Sequence, residues 1–161
     1  MFEYRQATLQ DLEQIWDMNI AENPEDSRWV RWKAEYIAYN QNGMARTFVV
    51  VCDGRPVGEG TLLFSTECKA VSGLSGLVDA HTANVNALRI RKEYEGQGHI
   101  SKLMRMMEDH AAARGYIALT IGVDAKETRN LGIYLHWGYD SFVVSEVDEG
   151  ELVLYYAKEL K

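Results

Sequence analysis

The chain has 161 residues, 47 % apolar and 25 % charged, which suits one globular domain spanning residues 1–161 that buries about two-thirds of its unfolded surface. Its 24 acidic and 17 basic residues give a net charge of −7, which repels phosphate backbones and so argues against nucleic acid as a partner. No apolar run is long enough to span a bilayer, and the opening MFEYRQATLQDLEQ lacks the basic start and apolar core of a signal peptide, so a cytoplasmic protein with no membrane partner is expected.

The acidic balance mildly favours a cationic substrate, such as a polyamine, an aminoglycoside or a lysine side chain; keeping the protein soluble is an equal reason for it. Cys52 falls in an apolar run and reads as buried, whereas Cys68 reads as a loop residue. Both read as reduced thiols, because neither shows metal or redox spacing. His81, His99, His110 and His136 form no ligand pair at helical or turn spacing, so no metal is expected.

In chain order, Phe2 to Ala7 alternates as a strand. Thr8, with Asp11 three residues on, reads as the N-cap of a helix through Leu12, Ile15, Trp16 and Ile20, and Asn23-Pro24 breaks it. A second helix, about Ser27 to Tyr39, sets Trp29, Trp32, Tyr36 and Ile37 at helical spacing, as core or groove lining. Thr47 to Cys52 is a strand, Asp53-Gly54 a hairpin turn, and Val57 to Phe64 the return strand. Glu67 to Ala83 reads as a long connection, a length that serves binding or is simply mobile. Asn84 to Arg91 is a fourth strand.

A strong amphipathic helix follows, with Ile100, Leu103, Met104, Met107 and Ala111 on one face and Arg114-Gly115 as its stop. Ile117 to Val123 is the fifth strand, and about Thr128 to Trp137 a short helix ending at Gly138. Tyr139 to Val147 and Leu152 to Ala157 close the chain as a hairpin around Asp148-Glu149-Gly150.

The segment LRIRKEYEGQGHISKL, from Leu88 to Leu103, joins the fourth strand to the amphipathic helix through glycines at 96 and 98. Such a turn aims backbone N–H groups and the positive helix end at one point, a site suited to a pyrophosphate. The segment resembles the coenzyme-binding motif of the GNAT acetyltransferase superfamily, a strand ending in Leu-x-Val followed by Tyr-Arg-Gly-x-Gly-x-Gly/Ala and a helix. Leu88 and Ile90 match the strand, Tyr94 the tyrosine, and Gly96 and Gly98 the first two glycines. Glu95 departs at the Arg/Gln position and Ile100 at the small third position. The stretch ETRNLGIYLHWGYDSF is similar to the family's later motif, with Ile133-Tyr134 at Leu-Tyr and Gly138-Tyr139 at Gly-Phe. There Glu127 stands where Asn is usual, and Asn130 replaces an alanine. The resemblance covers the core from about Phe48 to Phe142.

The resemblance implies a mixed α/β (α+β) GNAT-type fold, with about seven strands and about four helices. It also implies transfer of the acetyl group of acetyl-CoA to an amine of a small molecule or peptide by direct attack, with no metal. The coenzyme would lie along the fourth strand, in the splay between strands four and five. It would be held by Leu88, Ile90, Glu95, Gly96, Gln97, Gly98, Ile100 and Ser101, with Asn130 reaching it from the later helix. Tyr134, at the family's tyrosine, would protonate the departing thiolate, and backbone N–H groups around Leu88 to Ile90 would polarise the carbonyl.

The base is open. Asn84 stands where relatives often carry a glutamate, and an amide cannot take a proton. Glu59, on the preceding strand, could act through water, although a surface position is its plainer reading; Asp79 and His81 are further alternatives. The rival function is a non-catalytic acyl-CoA-binding sensor of the same fold. A different nucleotide-binding α/β protein is disfavoured because no Walker lysine-serine pair follows the glycines. The sequence leaves oligomeric state open, a homodimer being compatible with such folds.

Overall fold

Thr8 closes a capping box. Its hydroxyl accepts from the Asp11 N–H at 3.1 Å, and the Asp11 carboxylate accepts from the Thr8 N–H at 2.8 Å. That cap starts the first helix one residue after the strand it follows. The computed structural model describes the backbone of residues 1–161 and every side chain except that of Ala87. Its elements are β1 (Phe2–Gln6), α1 (Leu9–Glu22), α2 (Arg28–Gln41), β2 (Ala45–Cys52), β3 (Arg55–Leu63), β4 (Thr82–Ile90), a 3-10 turn (Lys92–Tyr94), α3 (His99–Ala113), β5 (Ala118–Asp124), α4 (Thr128–His136), β6 (Ser141–Asp148) and β7 (Glu151–Glu159).

The strands hydrogen-bond in the order β1-β2-β3-β4-β5-β7-β6, a mixed seven-stranded sheet. β4 and β5 run parallel, while β1 with β2, β5 with β7 and β6 with β7 run antiparallel. Asp53 and Gly54 both take positive φ, as a two-residue hairpin turn needs, and Glu149-Gly150 repeats the device between β6 and β7. With four α-helices among the described residues, this is the mixed α/β fold that the resemblance implied.

The chain falls into two compact units. The first comprises Met1–Leu62 and Ala87–Met107, and its core includes Trp16, Phe48, Val49, Leu62, Leu103 and Met104. Within it, β4 lies against β3 in antiparallel register. A Cβ at Gly58 would meet Ile90, and one at Gly60 would meet Leu88 and Met107 at under 3 Å. Those glycines let Leu88, Ile90 and α3 approach the strand closely. The second unit comprises Leu63–Asn86 and Glu108–Lys161, and is organised around Leu119, Ile121, Leu77 and Tyr139.

Several expectations change. Cys52, read as buried, is only half-buried, whereas Cys68 lies in a loop as read but is fully buried there. Cys52 ends β2 beside the hairpin turn. Cys68 is tucked into a turn in which its carbonyl accepts from Val71 and Ser72, and burial pushes its thiol up. The long connection is anchored by Cys68, Val71, Leu77 and Val78, whose buried side chains hold it down. No helix is long and apolar enough to cross a membrane, among the described residues.

Candidate active site

Between β4 and α3 the backbone turns twice through left-handed glycines, Gly96 at φ 74° and Gly98 at φ 85°. A Cβ at either position would meet nothing within 4 Å, so the turn is an open cradle whose shape depends on backbone conformation. The first α3 hydrogen bond runs from the Lys102 N–H to the Gly98 carbonyl. The N–H groups just before it, at His99, Ile100 and Ser101, therefore have no carbonyl inside the helix. A cradle lined by such donors fits a pyrophosphate. Glu95 has extended backbone and is exposed, so its carboxylate can turn to solvent. The Ser101 hydroxyl accepts from Arg105 at 2.9 Å and keeps its own proton to donate.

His99, unassigned in the sequence reading, is the buried start of α3, whereas Ile100 is half-exposed. Its Nδ1 shares a hydrogen bond of 2.6 Å with the Tyr4 hydroxyl, and its Nε2 lies 3.2 Å from Gln97 Oε1. The ring also contacts Phe2. Burial, with a smaller contribution from Lys102, lowers its pKa. A neutral His99 thus ties Gln97, in the turn, to β1. Its position four residues before Leu103 was the sequence signal, since i and i+4 share a helix face.

Strand alternation places Arg89 and Glu59 on the face of the sheet opposite Leu88 and Ile90. Glu59 is buried, at 1 % exposure, and not the surface residue that its sequence suggested. Its Oε1 accepts from Arg89 Nη2 at 3.1 Å and its Oε2 from Asn19 Nδ2 at 2.8 Å. The pair carries this glutamate into an apolar strand, because a buried charge persists when it is paired and hydrogen-bonded. The Arg89 Cζ lies 5.1 Å from the Trp16 ring centre and 5.0 Å from that of Trp29. Trp29 also meets Trp32 edge-on. Trp16 of α1 and Trp29 of α2 thus flank an arginine. No local signal marked Arg89 or Asn19, whose partners come from other elements.

In the second unit, Tyr134 lies on α4, half-buried, its ring 5.9 Å from that of Trp137. Burial, then the charge of Glu127, raises its phenol pKa, so the hydroxyl keeps its proton at neutral pH. The Asn130 amide donates to Glu127, one turn earlier in the chain. Asn84 is buried and its Nδ2 donates to Thr120 Oγ1 at 2.9 Å, while Thr120 Oγ1 donates to the Leu77 carbonyl. It serves as a structural link between strand and loop. Asp79 and His81 lie exposed at the entry to β4, where the Asp79 carboxylate accepts from the His81 N–H.

Comparison with known proteins agrees with this architecture. The model of the Acetyltransferase (GNAT) family matches residues 8–139. No curated protein matches. Among solved structures, the ribosomal-protein-S18-alanine N-acetyltransferase of Escherichia coli is similar, with TM-score 0.75 and 15 % identity over 100 % of this chain and 95 % of that one. The YncA protein of Salmonella typhimurium, with its cofactor acetyl-CoA, gives TM-score 0.74 and 12 % identity over 100 % and 95 %. The PaiA N-acetyltransferase of Thermoplasma acidophilum, in complex with coenzyme A, gives 0.66 and 16 % over 99 % of each chain. At these identities the likeness shows the fold.

Proposed function

The chain belongs to the GNAT acetyltransferase family, and on that premise we propose that it transfers the acetyl group of acetyl-CoA to a primary amine of a small molecule or peptide by direct attack. The observation that carries this reading is the open glycine cradle at the start of α3, which offers backbone donors to a pyrophosphate. The similar structures that hold acetyl-CoA or coenzyme A support the choice of coenzyme.

When bound, the coenzyme supplies an activated thioester. Gly96, Gln97, Gly98, Ile100 and Ser101 hold its pyrophosphate through their backbone, with Glu95 turned to solvent. The main chain from Leu88 to Ile90 polarises the carbonyl. Asn130 joins the binding residues only by releasing Glu127. The amine nitrogen bonds to the acetyl carbon, the carbon–sulfur bond breaks, and the thiolate takes the Tyr134 proton. Glu59 is buried beneath Arg89 and Asn19, so the proton that the amine sheds passes to water rather than directly to that carboxylate.

The test is a thiol-release screen of acetyl-CoA against a panel of amines, run beside calorimetric titration with the coenzyme. Saturable binding together with amine-dependent thiol release is expected. Binding without turnover on any amine would favour the acyl-CoA sensor, and no binding would remove both readings.

A further inference from the structure

The cluster around Arg89 has a polar imbalance of one sign. Two buried N–H groups there, Trp16 Nε1 and Arg89 Nε, meet no acceptor among the described residues. Buried donors are nearly always paired, so two in one cluster point to a missing acceptor. Glu59 does not fill the role: its oxygens accept from Arg89 Nη2 and Asn19 Nδ2, and neither orphan N–H bonds to them. Trp16 is 1 % exposed, yet about a third of the Arg89 side chain stays open, so a ligand can reach the guanidinium. The arginine is held by the two indole faces and by Glu59, a preorganised planar fork whose Nε–H meets no acceptor.

We propose that Arg89 binds the carboxylate of the acceptor, so that the substrate is an amino-acid-like molecule carrying both an amine and a carboxylate. A carboxylate brings two in-plane oxygens, which match the guanidinium fork better than a single water does. Trp29 and Trp32, both half-buried, supply an apolar wall for the rest of the molecule. The inference rests on the acetyl-transfer reading for its amine, and it differs from the cationic substrate that the acidic balance mildly favours.

The test compares matched acceptors in the thiol-release assay: phenylalanine, leucine and lysine against phenethylamine, isoamylamine and cadaverine. A charge-assisted bidentate contact predicts kcat/KM roughly ten- to a hundredfold higher for the carboxylate partner of each pair. Arg89→Met combined with Glu59→Met, which leaves no lone buried charge, should abolish the preference, and Arg89→Lys should restore it only in part. Tryptophan fluorescence during titration with leucine, in the presence of coenzyme A, gives a second readout without turnover. A saturable change is expected in the wild type and not in the double variant. Equal or better acetylation of the amines that lack a carboxylate would overturn the inference while leaving acetyl transfer intact. A leucine-dependent signal without turnover on any amine would uphold the carboxylate site and remove acetyl transfer. Neither turnover nor signal would overturn both.

Discussion

Glu59 in the first unit and Glu108 in the second have the same kinds of partner, a cation and a neutral donor. Glu108 Oε2 accepts from the Tyr139 hydroxyl at 2.8 Å and from Lys158 Nζ at 3.0 Å, and the lysine also sits over the Tyr139 ring. The hydroxyl and the carboxylate satisfy one another, and the lysine covers the pair. Around Glu59 the carboxylate is equally well met, but donors are left over on Arg89 and Trp16. A closed network holds elements together, whereas one with spare donors can also take an acceptor from outside. On the proposal above the two glutamates have different tasks, stability for Glu108 and substrate positioning for Glu59.

The contrast is sharpest between two tyrosines of one motif. Tyr134→Phe should lower kcat by about 10²–10⁴, the usual loss with a general acid, while the melting temperature changes little. Tyr139→Phe should do the opposite. It should leave kcat near wild type and lower stability by about 1.5–3 kcal/mol, the worth of a hydrogen bond to a charged group. Near-wild-type kcat for Tyr134→Phe, with an amine whose chemical step limits the rate, would take Tyr134 out of the mechanism.

Next in size is the removal of each carboxylate. Glu59→Leu should cost up to about 3 kcal/mol in urea unfolding, the low end for a broken buried pair, since the guanidinium it strands is a third exposed. Glu108→Leu should cost about 1.5–3 kcal/mol, because it strands the buried Tyr139 hydroxyl while Lys158 can turn to solvent. Acceptor KM should rise in the first variant alone. Equal losses of stability with no change in KM for either would mean that both clusters are structural.

Acid tests the first unit by another route. The folded pKa of His99 is depressed, so the unfolded chain takes up its proton first as pH falls. The stability that His99 contributes is thus complete above its ordinary value near 6.5 and is lost as pH drops below that, towards its lower folded value. Thermal melts at pH 7.5 and 5.5 should show a smaller acid loss in His99→Gln than in the wild type. An identical loss in both would remove His99 as a source of acid sensitivity. The smallest effect expected is at Glu95. Glu95→Arg should tighten acetyl-CoA binding by up to about 1 kcal/mol, as an exposed charge change does, and a clear loss of affinity would mean that Glu95 makes a contact of its own.

What the sequence by itself determined was local. Thr8 with Asp11, Asp53-Gly54, the glycines at 96 and 98, and the apolar period of α3 act within a few residues, through backbone conformation and caps, and each stands where the sequence placed it. The order of elements along the chain followed from signals of the same kind, and the family from the resemblance of the glycine turn and the later tyrosine motif. The tertiary structure decided what those elements bring together. Glu59 looked like a surface residue because its partners are 40 and 30 positions away, at Asn19 and Arg89. His99 looked idle because Tyr4 reaches it from β1, 95 residues earlier. Burying a charge or an imidazole is favourable only once its partner is in place, and no pattern along the chain records a partner that arrives through folding.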